Sequence, residues 1–197
     1  MGYYDTIQTM LNKSNGIITS AQATEAGIQR RVLGELVAEN RLYRAARGIY
    51  ALPQSWEDEM YFLQHRFAKG VFSHETALYL HGFSDRTPHT FTLTFPHGYN
   101  AAGLKQLNAK AKYATSEIYG LGMVEVNSPS GNPIRAYDIE RTLCDIVKGN
   151  NACDIQQVNH AMKTYAVSKA KDMAKLISHA ERLRVKPKIL RYMEVLL

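Results

Sequence analysis

Long apolar runs are absent from this sequence of 197 residues, and cysteine is scarce. No stretch of about 18 apolar residues occurs that could span a membrane. The opening segment MGYYDTIQTM lacks the basic flank and the apolar core of a signal peptide, so we expect a cytoplasmic protein that does not bind membranes. The two cysteines, Cys144 and Cys153, lack the paired spacing of a zinc site, and we expect both to be reduced thiols.

Catalytic and cofactor-binding motifs are also missing. The segment Ser73-His74-Glu75 resembles the start of a zinc-protease helix, but Leu78 stands where the second metal ligand should be. The segment Gly120-Leu121-Gly122 lacks the further glycine and the lysine of a phosphate-binding loop. These gaps predict a protein that is not an enzyme, with no catalytic residue, no metal and no cofactor.

Histidine leaves two alternatives open. His74, His81 and His97 could converge on a metal ion in an enzyme. The histidine and aromatic side chains of the second half of the chain could instead sense a small molecule, which would make the protein a ligand-responsive transcription factor. Structural roles are more common than metal binding for partly buried histidines, and we favour that interpretation.

Positive charge exceeds negative charge, with a formal net charge of +6 and an isoelectric point near 9.3. Such an excess favours polyanions, including nucleic acid. The distribution is uneven, because residues 163–191 hold nine basic and two acidic side chains. With 45% hydrophobic and 21% charged residues, the chain has the composition of a folded protein of about two domains.

The first 40 residues show three short helical patterns. The first helix stops at Asn15-Gly16, and a second begins at Thr19 or Ser20 and ends near Gly27, where glycine tolerates a left-handed backbone. A third helix carries its apolar residues on one face and leaves Gln29, Arg30 and Arg31 in its first turn. In a helix-turn-helix this turn meets base edges, where arginine pairs with guanine and glutamine with adenine.

The segment NRLYRAARGIYALP at 40–53 predicts a β-hairpin. Its strands are Leu42–Arg44 and Ile49–Leu52, joined by residues 45–48 with Gly48 at the tip. Arginines at this position meet phosphates or the minor groove. We therefore predict a winged helix-turn-helix over residues 1–55 that binds duplex DNA; an ordinary helical hairpin with a loop, or a winged helix that binds protein, are the alternatives. The predicted DNA-binding residues are Ser20, Gln29, Arg30, Arg31, Arg44 and Arg47.

Residues 56–197 predict a second domain of mixed α and β structure, so the fold class is α+β, ending in several helices. The alternation of FTLTF at 91–95 indicates a half-buried strand, and helical periodicity dominates after Asp138. The other expected elements are helices over 56–68 and 73–81, and strands over 123–126 and up to Tyr137.

One of the late helices carries a basic stripe. Lys171, Lys175 and Arg182 lie opposite its apolar face at 100° per residue. The stripe is either a solvated surface or a second basic patch that touches DNA backbone or an acidic partner.

Three segments carry a family resemblance. The wing Arg47–Tyr50 (RGIY), the segment Ser73–Leu78 (SHETAL) and the helix Arg141–Asp145 (RTLCD) make the chain similar to the AbiE abortive-infection antitoxins. The resemblance implies a bacterial antitoxin of a type IV toxin-antitoxin pair that serves in antiviral defence. Such proteins repress their own operon through a winged helix bound at inverted repeats. Their C-terminal domain counteracts a nucleotidyltransferase-like toxin, and no stable complex is required.

Overall fold

The computed structural model describes residues 2–54, 58–149 and 153–196. Its contacts group residues 1–66 with 127–133 as one compact unit, and residues 67–126 with 134–197 as another. Both units combine helices with a sheet, which confirms the α+β fold class. The expected domain boundary, between residues 55 and 56, lies outside the described residues and stays a prediction.

The first unit is a winged helix. A short strand after the first helix, which sequence analysis did not predict, forms one edge of a three-stranded sheet in the order β1-β3-β2. This sheet rules out the alternative of a helical hairpin followed by a loop. The elements are α1 (Tyr3–Lys13), β1 (Ile17–Thr19), α2 (Ser20–Glu25), α3 (Arg30–Ala38), β2 (Tyr43–Ala46), β3 (Ile49–Ala51) and α4 (Glu59–Arg66).

The helix-turn-helix forms because its ends are capped and its inner face is apolar. Thr19 caps α2: its hydroxyl accepts a bond from the Gln22 backbone at 3.1 Å, and the Gln22 side chain accepts one from the Thr19 backbone at 2.8 Å. Gly27, with φ of 75°, makes the turn as expected. Fully buried Leu33 docks α3 in the core of the unit.

The wing is tighter than expected. Residues 45 and 46 belong to β2, so the turn contains only Arg47 and Gly48, and Gly48 has φ of 79°. The central strand β3 pairs with β2 on one side and with β1 on the other, where Ile18 lies opposite Tyr50. The two-residue turn was missed because Ala45 and Ala46 are too small to show strand alternation.

Helix α4 packs with the winged helix, although the sequence suggested that it opens the second domain. Tyr61 and Phe62 pack against the apolar cluster of β1 and β3. Asp58, only 2% exposed, accepts a bond from the Tyr61 backbone at 2.9 Å and so caps α4. Its other carboxylate oxygen accepts bonds from two side chains of the 127–133 segment, Ser128 and Asn132. Trp56, the first residue of the helix expected over 56–68, lies outside the described residues.

The second unit contains a mixed five-stranded sheet in the order β6-β5-β4-β8-β7. Strand β4 pairs antiparallel with β5 and parallel with β8, and β5 pairs parallel with β6. The elements are β4 (Val71–Phe72), α5 (His74–Leu80), β5 (Phe91–Pro96), a 3-10 turn (Lys105–Leu107), β6 (Ala109–Ala114), α6 (Ser116–Tyr119), β7 (Met123–Asn127), β8 (Pro133–Tyr137), α7 (Ile139–Ile146), α8 (Ile155–Val167), α9 (Met173–Arg182) and α10 (Lys186–Leu196).

The last four helices share one apolar core. Leu143, Met162, Tyr165, Leu176 and Ile189, one or more from each helix, are all fully buried. The helical periodicity expected after Asp138 is therefore confirmed. Among the described residues, no helix combines the length and the apolar character needed to cross a bilayer.

The segment RTLCD contains a buried cation, Arg141, and its ion-pair partner, Asp145. Arg141 is 2% exposed, and its guanidinium donates to Asp145 at 3.0 Å and to the carbonyl oxygens of Ile118 at 2.7 Å and Leu121 at 3.1 Å. The same group stacks over the Tyr137 ring, 4.3 Å from its centroid. A buried charge needs such partners, because an unpaired one is very costly.

Substitution of Gly48 tests the wing turn. We expect Gly48→Ala to lower the free energy of unfolding by about 1–2 kcal/mol, because the residue has a positive φ. The new Cβ would also lie 3.1 Å from the Ser20 hydroxyl. Gly34→Ala is the control: it lies in α3 with no atom within 4 Å of a Cβ. The control should stabilise by about 0.5–1 kcal/mol in chemical denaturation. Equal effects of the two substitutions would contradict the turn geometry.

Substitution of Arg141 tests the buried ion pair. We expect Arg141→Met to cost about 3–5 kcal/mol of unfolding free energy, because Asp145 is left buried without its cation. The double variant Arg141→Met with Asp145→Leu should recover part of the loss, since no unpaired carboxylate remains. Urea denaturation followed by circular dichroism measures both. A double variant less stable than the single one would contradict this account.

Candidate nucleic-acid interface

The first turn of α3 presents polar side chains to solvent. Gln29 is the N-cap residue, yet its side chain makes no capping hydrogen bond. Arg30 and Arg31 follow and are exposed, while Val32 and Leu33 turn into the core. This alternation follows from the amphipathic pattern of the helix, so the buried face determines that the residues at 29–31 face outward.

Arg30 and Arg31 differ in their surroundings. The Arg31 guanidinium lies 3.2 Å from the Glu35 carboxylate one turn later, and both side chains are largely exposed. Within the described part of the chain, Arg30 makes no ion pair. Exposed pairs of this kind are weak, so Arg31 can exchange Glu35 for another anion at a small cost. Arg30, in contrast, can contact an anion without first breaking an ion pair.

The wing adds two exposed arginines. Arg44 lies on β2 and Arg47 in the two-residue turn, and neither has an ion-pair partner among the residues described. Arg41, between α3 and the wing, is engaged instead: it lies 3.7 Å from Glu39 and over the Tyr4 ring. Of the arginines that sequence analysis selected, Arg30, Arg44 and Arg47 thus have no ion-pair partner among the described residues, whereas Arg31 pairs with Glu35.

Ser20 contacts the wing through its backbone. Its N–H donates to the Gly48 carbonyl at 2.8 Å, and its side chain is only half-exposed. The bond joins the start of α2 to the wing turn, a supporting role that the sequence did not reveal because the two residues are far apart in the chain. Whether Ser20 also touches DNA stays a prediction.

The predicted second basic patch is partly neutralised. In α9 the Lys175 ammonium lies 3.1 Å from Asp138 and 3.4 Å from Glu140, both of which are buried. Burial tends to lower the pKa of Lys175, but the hydrogen bonds and charges of the two carboxylates outweigh it and raise that pKa overall. Lys175 therefore contributes little positive charge to the surface.

The other two cations of the patch donate to backbone carbonyls. The Lys171 ammonium binds the Ala166 oxygen at 2.5 Å, and Arg182 binds the Glu117 oxygen at 3.3 Å. Carbonyl oxygens carry no net charge, so both side chains keep their positive charge at the surface. The role of the patch stays a prediction that now depends on Lys171 and Arg182.

Three of the histidines, His74, His81 and His179, each contact a different polar partner. His81 lies 2.7 Å from the Tyr137 carbonyl, and His74 lies 3.0 Å from the Ser73 hydroxyl with a pKa lowered by burial. His179 lies 3.4 Å from Asp138. Over residues 2–54, 58–149 and 153–196, no three histidine, cysteine or acidic side chains are grouped as a metal site. Nothing in this arrangement favours the metal-dependent enzyme.

Both cysteines are free and buried. Burial, followed by the charge of Asp145, raises the pKa of Cys144 to about 12, and burial also raises the pKa of Cys153. A thiol with a raised pKa is protonated at neutral pH and is therefore a poor nucleophile.

A family model matches part of the winged helix. Residues 7–53 match the model of a family described as "Transcriptional regulator, AbiEi antitoxin". No curated protein sequence matches the chain. A crystal structure of the Rv2827c protein from Mycobacterium tuberculosis is similar over 98% of this chain and 80% of that one, at 13% identity and a TM-score of 0.49. Over residues 7–53, this chain is therefore similar to the AbiEi antitoxin family of transcriptional regulators.

Proposed function

We propose that this chain is the antitoxin of a type IV toxin-antitoxin pair and that it represses its own operon. The observation that carries the proposal is the exposed, polar first turn of α3 within a winged helix of the AbiEi family. The protein acts in abortive infection, a bacterial defence against phage. It is a regulator and not an enzyme.

The winged helix reads DNA in two ways. Gln29, Arg30 and Arg31 enter the major groove, where the two residue types pair bidentately with adenine and guanine. Arg44 and Arg47 contact phosphates or the minor groove beside the site. Two copies of the domain occupy the two halves of an inverted repeat, since a symmetric operator requires two equivalent heads.

The second domain counteracts a nucleotidyltransferase-like toxin. This part of the proposal is supported by the antitoxin family of the first domain and by the segments SHETAL and RTLCD in the second. No stable complex with the toxin is required. Exposed cations of α9 and the turn before it, Lys171 and Arg182, are our candidates for neutralisation.

Alanine variants of α3 test DNA recognition. We expect Arg30→Ala to weaken binding to the promoter by about 1–3 kcal/mol and to relax sequence preference. Arg31→Ala should cost less, because Arg31 must give up Glu35 before it contacts DNA. Gel shifts with the promoter and with a scrambled duplex measure both effects at one salt concentration.

Lys13→Ala is the matched control, since it removes one exposed positive charge from the last turn of α1 without touching α3. It should leave the ratio of specific to non-specific affinity unchanged. Unchanged promoter affinity of Arg30→Ala, or a larger loss for Arg31→Ala, would contradict the proposed recognition.

Charge reversal separates the second patch from DNA binding. We expect Lys171→Glu with Arg182→Glu to abolish rescue from the toxin while promoter affinity and its salt dependence stay as in the parent protein. Lys175 is left intact, because its loss would leave Asp138 and Glu140 buried without a cation.

Lys105→Glu with Lys169→Glu is the control with the same change of charge at other exposed positions. Growth upon toxin co-expression and gel shifts over a salt series are the measurements. A flatter salt dependence would assign the patch to DNA phosphates. Intact rescue would remove it from neutralisation.

A further inference from the structure

The second unit contains a cavity of about 640 Å³ against the end of α7 and along α8 and α10. Sites for small molecules measure about 300–1,000 Å³, so the cavity has the size of a ligand site. Its apolar wall comes from all three helices. The residues of this wall are Ile146, Val147, Val158, Tyr192 and Leu196.

Every charged side chain that lines the cavity is basic. Lys163 on α8 and Lys188 and Arg191 on α10 are the three, and no acidic residue is among the described lining residues. The Lys188 ammonium donates to the Val147 carbonyl at 3.0 Å, which holds it at the end of α7. An ammonium has three protons, so it can still donate to a ligand. These cations were not part of the basic patch that the sequence suggested.

Two large apolar side chains at the cavity are in contact with water. Ile155 is 61% exposed and Val195 is 81% exposed, and both line the cavity. Isolated exposed apolar residues are common, but here they adjoin an apolar wall and three cations. Exposed apolar surface next to polar groups is typical of a binding site.

We propose that this cavity binds a small organic anion with an apolar body, of the chemical class of a medium-chain carboxylate. The apolar body lies against Val158, Tyr192 and Leu196, and the carboxylate faces Lys163, Lys188 and Arg191. A nucleic-acid backbone needs the cations but gains nothing from the apolar wall. A neutral apolar ligand gains nothing from the cations. The inference is independent of DNA binding, which lies in the first unit.

Three probes of one chain length test the charge preference. The full-length protein is titrated by calorimetry with decanoate, with decyltrimethylammonium and with decanol. We expect saturable binding of decanoate at one site per chain and weaker binding of the other two, since only the anion satisfies both the wall and the cations. Equal binding of the cation, or no binding of decanoate, overturns the proposal.

Two variants locate the binding site. Lys163→Glu with Arg191→Glu should weaken decanoate binding roughly tenfold, since it reverses two of the three facing charges. Asn159→Trp places a ring at an exposed position of the lining and should abolish binding while leaving every charge in place. Lys188 is not substituted because it also binds α7.

The control is Lys105→Glu with Lys169→Glu, which makes the same change of charge away from the cavity and should bind decanoate as the parent does. Equal affinities of control and cavity variants overturn the proposal. Binding of an acidic amphipathic peptide at this cavity, together with no binding of decanoate, would likewise overturn the proposal, because the site is then a protein-docking surface.

Discussion

The burial of the Arg141 guanidinium is the constraint on which the second unit depends. Its partners come from three parts of the unit: Asp145 on its own helix, the carbonyl oxygens of Ile118 and Leu121, and the Tyr137 ring at the end of β8. A buried cation is tolerated only when such partners are in place together. The segment 118–121, β8 and α7 therefore cannot move independently of one another.

The same helix, α7, organises its neighbours through buried carboxylates. Asp138 caps α7 and also accepts from Lys175 of α9, and Glu140 accepts from Lys175 and from the Tyr165 hydroxyl of α8. The charged side chains around α7 therefore pair with one another inside the second unit. Lys175, which the sequence places in a basic stripe, is thus a structural cation that neutralises buried carboxylates. The second unit therefore presents less positive charge at its surface than its composition suggests.

The winged helix shows the opposite use of charge. Arg30, Arg44 and Arg47 are exposed and have no ion-pair partner in the described residues, while the backbone around them is held by the Thr19 capping box, the Gly27 turn and the three-stranded sheet. Rigid backbone with free cations is the arrangement that binds a fixed array of phosphates and bases at low entropic cost. The cavity of the second unit combines cations with apolar walls instead, which suits a different kind of anion.

Local sequence patterns were sufficient to predict the elements whose caps, turns and apolar faces lie close together in the chain. The helices of the winged helix, the stop at Gly27 and the helical periodicity after Asp138 were predicted and confirmed, since caps, glycine turns and periodicity lie within a few residues of each other. Strands β4 and β6 were missed: β4 has only two residues, and β6 reads AKAKYA, whose alanines carry little apolar signal. The resemblance to the family was noted from short segments, and the family model matches residues 7–53, which lie in the winged helix.

The sequence by itself determined the winged helix, its outward-facing arginines and the mixed α+β class, because periodicity and turn chemistry act over short distances. Only the tertiary structure decided which cations are free. Lys175 is paired, unlike Arg30, because the carboxylates of Glu140 and Asp138, 35 and 37 positions away in the chain, lie next to its ammonium. Only the tertiary structure likewise brought α4 to the winged helix and Lys163, Lys188 and Arg191 to one cavity. The physical reason is that electrostatic and packing partners are chosen by distance in space, which sequence spacing does not encode.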